Sequence, residues 1–160
     1  MNIELLKLLY RNAKYTEEEL ATMLDISEDE VKAEIKQMTK DGIICGYKAV
    51  IDWEKIDNPY VSAIIELNVV PKAGIGFEEV AEQIASYDQV ESVYLMSGVY
   101  DLNVVVRAKT LQDIARFVAR ELATMETVNS TATHFVLRRY KELDSKLFIG
   151  EKDGRGQLFI

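Results

Sequence analysis

The chain has 160 residues, of which 48% are hydrophobic and 29% charged, and its formal net charge is −8. This composition is that of a folded protein with one or two small domains and excludes a disordered chain. No apolar run approaches the ~20 residues that a membrane span requires, and the first residues lack a signal-peptide pattern. We therefore expect a cytoplasmic protein with no membrane partner.

The sequence contains few of the residues that bind metals or act as activated nucleophiles. Cys45 is the only cysteine and His134 the only histidine, and the two are 89 positions apart. An internal disulfide is therefore excluded, and a reducing compartment is the simplest setting. No nucleophile-elbow motif surrounds a serine, and no Gly-rich loop of the phosphate-cradling kind is present. We expect no metal site, no cofactor and no enzymatic activity.

Three short helices are predicted near the start of the chain. The first covers Ile3 to Asn12, the second opens with a capping box at Thr16, and the third begins at Ser27 with acidic residues in its first turn. Gly42 ends the third helix, and residues 43–51 are predicted to form a hairpin or wing. Two short helices joined by a tight turn are typical of a helix-turn-helix, whose second helix enters the major groove of DNA.

The third predicted helix carries one buried and one basic stripe. Val31, Ile35 and Met38 fall at positions i, i+4 and i+7 and form the buried side. Lys32, Lys36 and Lys40 recur every four residues and form a basic ridge beside the buried side. The candidate DNA contacts are Ser27, Lys32, Lys36, Gln37, Lys40 and Lys48.

Charge leaves an alternative open. Residues 1–52 contain seven Lys and Arg against eleven Asp and Glu, a net charge of −4, whereas DNA-binding modules are usually basic. The lysines could instead form a solvated face, balanced by Glu28 and Glu34, on a helical bundle with no nucleic-acid role. The ridge favours DNA binding that is weak or depends on oligomerisation.

Asn58-Pro59 marks the best domain boundary, because the residue before a proline disfavours helix. We predict a winged helix-turn-helix DNA-binding domain at 1–52, a linker at 53–59, a second domain at 60–142 and a tail at 143–160.

Apolar alternation and helical spacing in the second domain predict the order β-α-β-β-α-β, which is the ferredoxin-like plan of an α+β protein. Strands are predicted at 60–70, 90–97, 101–107 and 128–137. A helix begins at Phe77, and another follows Thr110 with Leu111, Ile114, Ala115, Val118 and Leu122 directed inward. Two helices cover one sheet face. We expect the other to expose apolar residues that drive self-association, and the tail to form a two-stranded ribbon from residues 147–150 and 157–160 around Asp153-Gly154.

A winged helix-turn-helix followed by this module resembles the leucine-responsive regulatory protein/asparagine regulator (Lrp/AsnC) family of feast-or-famine transcription regulators, whose second module is called the RAM domain. The resemblance covers residues 1–142. Its markers are Glu19-Leu20-Ala21, Ile26-Ser27, Val31, Ile35, Met38, Gly42 to Tyr47, Ser97 to Asp101 and Thr131 to Thr133. It implies a dimer built through the second-domain sheets, octamers or similar assemblies of dimers, and amino-acid effectors bound between dimers.

The chain departs from the family pattern where DNA is touched. Members usually carry adjacent arginines in the middle of the recognition helix, whereas this chain has Ala33 and Glu34. A glutamate repels phosphate, although it can accept a hydrogen bond from a cytosine amine or pair with a nearby lysine. The sequence therefore does not decide whether this helix binds DNA tightly.

The turn at Gly98 is the predicted effector site. An amino-acid zwitterion needs donors for its carboxylate, which backbone N–H groups around a glycine turn supply, and an acceptor for its ammonium, which Asp101 supplies. The resemblance adds the threonines of the last strand. The candidate effector-binding residues are Met96, Gly98, Tyr100, Asp101, Thr131 and Thr133. In the alternative, Gly98 only permits the turn and the threonines are ordinary strand residues.

The sequence thus predicts a transcriptional regulator that binds double-stranded DNA and whose assembly or DNA affinity responds to an amino acid. The alternative is an amino-acid sensor or adaptor of the same family with weak or no DNA binding, which acts through protein partners. A small ferredoxin-like enzyme ranks last, because no paired catalytic carboxylates or activated nucleophile support it.

Overall fold

A computed structural model of the chain describes residues 1–57, 60–72 and 74–147. The chain divides into two compact units, Met1–Ala49 and a second that begins at Val50. Among the described residues, every helix falls short of the length and apolarity that a membrane crossing demands.

The first unit contains three helices, α1 (Ile3–Arg11), α2 (Glu17–Leu24) and α3 (Glu28–Lys40). Capping boxes at Thr16 and Ser27 start α2 and α3, because each hydroxyl satisfies a backbone N–H that has no partner inside the helix. Asp25, in the left-handed conformation with φ 55°, ends α2 and sets the tight turn before α3. The predicted helix-turn-helix is confirmed.

The helices of the first unit enclose a core formed by the apolar stripes. The buried residues are Leu5, Leu9, Leu20, Ala21, Val31 and Met38. Met23 of α2 lies outside this core and is half exposed. No paired strands lie between Gly42 and Asp52, so the predicted hairpin is absent; Ile44 packs on the core, and Tyr47 and Lys48 are exposed.

The second unit contains an antiparallel sheet of four strands, in the order β2-β3-β1-β4. The strands are β1 (Val61–Val69), β2 (Val90–Leu95), β3 (Leu102–Ala108) and β4 (Val128–Phe135), and the helices are α4 (Phe77–Ala85) and α5 (Leu111–Phe117). A π-helical stretch, Val118–Leu122, continues α5. The chain order β1-α4-β2-β3-α5-β4 is the predicted ferredoxin-like plan.

The core of this unit lies between one sheet face and the two helices. Alternate residues of β1 and β3 enter it, as do Val80 and Ile84 of α4. The expectation for α5 is wrong at two positions, since Leu111 and Ala115 are exposed and Phe117 is buried. Ala115 is one residue from the buried Ile114, which turns it about 100° around the helix and away from the sheet.

The open face of the sheet carries more polar side chains than the sequence pattern predicts. Its apolar centre is the half-buried pair Ile64 and Val105. Polar residues surround the pair and bond to one another: Asn68 Nδ2 donates to Ser130 Oγ at 2.9 Å. His134 Nε2 lies 3.6 Å from Glu66 Oε1 on the same face. The face thus combines an apolar centre with a polar surround, and self-association through it stays a prediction.

A small hairpin follows β4. It pairs β5 (Lys141–Glu142) with β6 (Ser145–Lys146), and its turn residues Leu143 and Asp144 both have positive φ. Local sequence signals do not predict this hairpin, because neither turn residue is a glycine or an asparagine. The predicted ribbon of residues 147–150 and 157–160 falls almost entirely outside the described residues.

Candidate DNA interface and effector site

Ser27 uses its polar groups to start the third helix. Its hydroxyl donates to Glu30 Oε2 at 2.7 Å and accepts from the Glu30 backbone N–H at 3.3 Å, while its own N–H donates to Glu30 Oε2 at 2.9 Å. The backbone and hydroxyl donors of Ser27 lower the pKa of the Glu30 carboxyl. Ser27 therefore fixes the start of α3 and is not itself free to contact DNA through these groups.

The exposed side of α3 presents two cations that have no partner in the part of the chain that the structure describes. Lys36 and Lys40 form no ion pair or hydrogen bond with the described residues, and they lie one helical turn apart. Lys32 differs, since its Nζ lies 3.6 Å from Glu28 Oε2. Gln37 donates its amide N–H to Asp41 Oδ1 at 2.8 Å. Lys36 and Lys40 are thus the residues of the ridge that are available to a phosphate.

Glu34 does not face the solvent side of α3. It is half buried, and its Oε2 accepts a hydrogen bond from the backbone N–H of Asn2 at 3.0 Å. The carboxylate therefore caps the start of α1, and the surface beside Lys36 is left with the small Ala33. The repulsion that the sequence analysis attributes to Glu34 is reduced, because its charge is directed toward another helix.

The turn between β2 and β3 depends on glycine for its backbone conformation. Gly98 has a φ of 146°, and a Cβ built at this position meets no atom within 4 Å. The backbone angle, and not lack of space, favours glycine here. Met96 and Val99 beside it are exposed, Val99 to 93%, so the turn has an apolar rim.

Asp101 ties the ends of three strands together. Its Oδ2 accepts the backbone N–H of Val69 at 2.7 Å. Its own N–H donates to the Leu67 carbonyl at 2.9 Å, and its carbonyl accepts from Met96 at 2.8 Å. One carboxylate oxygen therefore has a structural partner, which the sequence analysis missed because Val69 is 32 positions away.

The other candidate effector residues belong to different faces of the sheet. Thr131 and Thr133 lie on the edge strand β4, opposite buried residues of β1, and so belong to the helix-covered face. The Tyr100 hydroxyl accepts from Asn103 Nδ2 at 3.3 Å, and Asn103 belongs to the open face. Tyr100 thus contacts the open face, whereas the threonines belong to the helix-covered face.

Each unit matches a known domain family. Residues 62–145 match the Lrp/AsnC ligand binding domain, and residues 2–44 match a winged helix-turn-helix DNA-binding domain. The first match spans more than half of the chain. The protein belongs to the Lrp/AsnC family.

Relatives of this Lrp/AsnC protein align with it over most of its length. An HTH-type transcriptional regulator of Bacillus subtilis, YugG, is 47% identical over 154 residues, which are 95% of this chain and 92% of that protein. The leucine-responsive regulatory protein of Haemophilus influenzae is 26% identical and aligns over 89% of this chain and 85% of its own length. The protein is thus an HTH-type transcriptional regulator with an Lrp/AsnC ligand-binding domain.

Solved structures share the fold. The leucine response regulatory protein of Mycobacterium tuberculosis superimposes with a TM-score of 0.72 at 21% identity, over 89% of this chain and 94% of that one. A transcriptional regulator of Neisseria meningitidis, crystallised as a complex with L-Met, gives a TM-score of 0.69 at 24% identity, over 88% and 90%.

Proposed function

We propose that this regulator binds double-stranded DNA through the exposed side of α3 and that a small amino acid alters its assembly or its DNA affinity. The observation that carries the DNA part is the pair Lys36 and Lys40, which have no partner among the described residues. Two unpaired cations one turn apart on a recognition helix are suited to phosphates along one side of a major groove. A regulator that acts on DNA works in the compartment that holds the genome, and we propose a cytoplasmic location.

An amino-acid effector is supported by the Gly98 turn and by the L-Met complex of the Neisseria meningitidis regulator. Asp101 keeps a second carboxylate oxygen beyond the one that accepts from Val69, and an ammonium group needs such an acceptor. Since Tyr100 and the threonines serve opposite faces of the sheet, we propose that a second chain completes the pocket. We propose that the effector binds where two dimers meet.

Self-association through the open sheet face completes the proposal. Ile64 and Val105 supply an apolar centre, and the polar residues around it supply a rim, which is the usual anatomy of an interface between proteins. We propose a dimer through this face and an octamer, or another assembly of dimers, as the form that binds the effector.

The test combines DNA and effector. DNA from upstream of the gene for this protein is titrated with the full chain by fluorescence anisotropy, with and without each of the twenty amino acids, and light scattering follows the assembly. We expect salt-dependent binding that one or a few amino acids change together with the size of the assembly. Binding that no amino acid alters would contradict the effector part of the proposal.

A second function is favoured by one observation. The first 52 residues carry a net charge of −4, which weakens attraction to DNA in general. In that case the protein is an amino-acid sensor that acts through protein partners. Failure to bind any DNA at low salt, together with a response to an amino acid, would support it.

A further inference from the structure

A cleft of about 420 Å³ lies at the end of the sheet opposite to the Gly98 turn. It is bounded by the end of β3, where Ala108 pairs with Val61, and by α5 with its π-helical continuation. Its volume falls within the range of about 300–1,000 Å³ that small-molecule sites occupy. Neither the proposed DNA contacts nor the proposed effector residues line it.

The two acidic residues of the cleft already have partners. Asp113 accepts from the Thr110 hydroxyl at 2.7 Å through one oxygen, and its other oxygen lies 3.2 Å from Arg116 Nη1. Glu121 accepts from the Tyr87 hydroxyl at 3.1 Å. Three cations and two acids line the cleft, so it favours a ligand whose charge is mainly negative.

The cations of the cleft are less well balanced. The side chains of Lys109 and Arg120 form no ion pair or hydrogen bond with the described residues, although both line the cleft. Arg116 is the third cation, and it is already paired with Asp113. Lys109 and Arg120 are therefore the two cations of the cleft that are available to an anion.

An aromatic wall stands beside the cations. The Tyr60 ring meets the Trp53 ring edge-on with centroids 5.2 Å apart, and the Arg107 guanidinium lies 4.8 Å from the Tyr60 centroid. Phe117 adds a buried ring to the lining. Because its neighbours hold Tyr60 in place, the wall is formed before a ligand arrives.

We infer that this cleft binds a small organic dianion, a phosphate monoester or a dicarboxylate, through Lys109 and Arg120, beside the Arg116–Asp113 pair. Guanidinium groups bind phosphate and carboxylate through two parallel hydrogen bonds, and Lys109 adds a point charge. Tyr60 provides an apolar surface for the carbon skeleton or a base. The site is separate from the effector pocket and does not depend on it.

The test is calorimetry on the full chain in phosphate-free buffer at low salt, with adenosine monophosphate in one arm and succinate in the other. Arg120→Gln and Lys109→Gln each remove one charge from the cleft, and Lys146→Gln removes one charge from the β5–β6 hairpin as a matched control. We expect the parent and Lys146→Gln to bind at least one dianion, and each cleft variant to bind it about tenfold more weakly.

The two arms separate the sources of the ligand. Preference for adenosine monophosphate identifies a phosphate monoester, and preference for succinate identifies a dicarboxylate. No heat from either ligand at millimolar concentration overturns the inference, as does equal affinity in the parent and both cleft variants. A lower salt slope for DNA binding in these variants, without dianion binding, would overturn it by assigning the cleft to DNA.

Discussion

Glu34 in α3 accepts a hydrogen bond from the backbone N–H of Asn2, which lies 32 positions earlier in the chain, at 3.0 Å. Asn2 in turn caps α1, since its side chain accepts from the Leu5 N–H at 3.1 Å. An acidic residue on the presumed recognition helix thus contributes to the packing of the first unit. This relationship separates two roles of Glu34, in stability and in DNA contact, that experiments can test.

Glu34→Ala should destabilise the protein more than it changes DNA binding. The substitution leaves the half-buried Asn2 N–H without its acceptor, which costs about 1–3 kcal/mol. Urea unfolding measures the loss, and anisotropy measures DNA affinity. Glu28→Ala, which removes an exposed acid of the same helix, is the control and should change stability little. A more than tenfold gain in DNA affinity for Glu34→Ala with unchanged stability would contradict this role.

Lys36→Gln and Lys40→Gln should each weaken binding to all DNA sequences alike. Each removed phosphate contact lowers the slope of log affinity against log salt by about one unit. The slope is measured by anisotropy across a salt series. Lys7→Gln is the matched control, because Lys7 pairs with Glu4 at 2.7 Å on α1. Slopes that stay equal in the parent and both variants would exclude this side of α3 as the contact surface.

Two substitutions of Asp101 separate its structural role from its proposed role in effector binding. Asp101→Asn keeps an oxygen that can accept from Val69, so its stability should stay near that of the parent, while amino-acid affinity falls about 10–100-fold because a charge-assisted bond is lost. Asp101→Ala should also destabilise the protein by about 1–3 kcal/mol. Calorimetry and urea unfolding give the two quantities. Unchanged amino-acid affinity in Asp101→Asn would leave this carboxylate with a structural role alone.

Lowering the pH should reduce the stability that Glu30 gives to the start of α3. Its pKa in the folded protein is below the ordinary value of 4.5, chiefly because it accepts the Ser27 backbone N–H. The bond therefore contributes fully above about pH 4.5, and its contribution is lost as the pH falls through the lower folded pKa. Glu30→Gln keeps an acceptor in the capping box but no longer titrates.

Thermal unfolding of the parent and of Glu30→Gln is measured from about pH 3 to about pH 6, a range that spans the ordinary pKa of a glutamate. The difference in Tm between the two should narrow toward acid pH. Glu17→Gln, at an exposed position in the first turn of α2, is the matched control for the removal of one carboxylate. A Tm difference that stays constant across this range would show that the Ser27–Glu30 contact does not stabilise the folded state.

Local patterns were sufficient to predict most elements of this protein. Thr16 and Ser27 begin helices because their hydroxyls bond to backbone groups only three residues away, and apolar alternation along β1 is enough to indicate which of its faces is buried. The βαββαβ order follows from such short-range signals, and the basic ridge on α3 follows from helical spacing alone.

Contacts between distant segments determined the rest. The orientation of Glu34 depends on where α1 packs, and the partner of Asp101 depends on the strand order that brings β1 beside β3. Phe117 is buried in place of Ala115 because the sheet selects one side of α5. Side chains at one end of the sheet face different directions although their types suit one pocket, since the register of β4 against β1 places Thr131 on the helix-covered face. Periodicity predicts which side of an element is apolar; which remote polar group each side chain meets follows from the packing of whole elements.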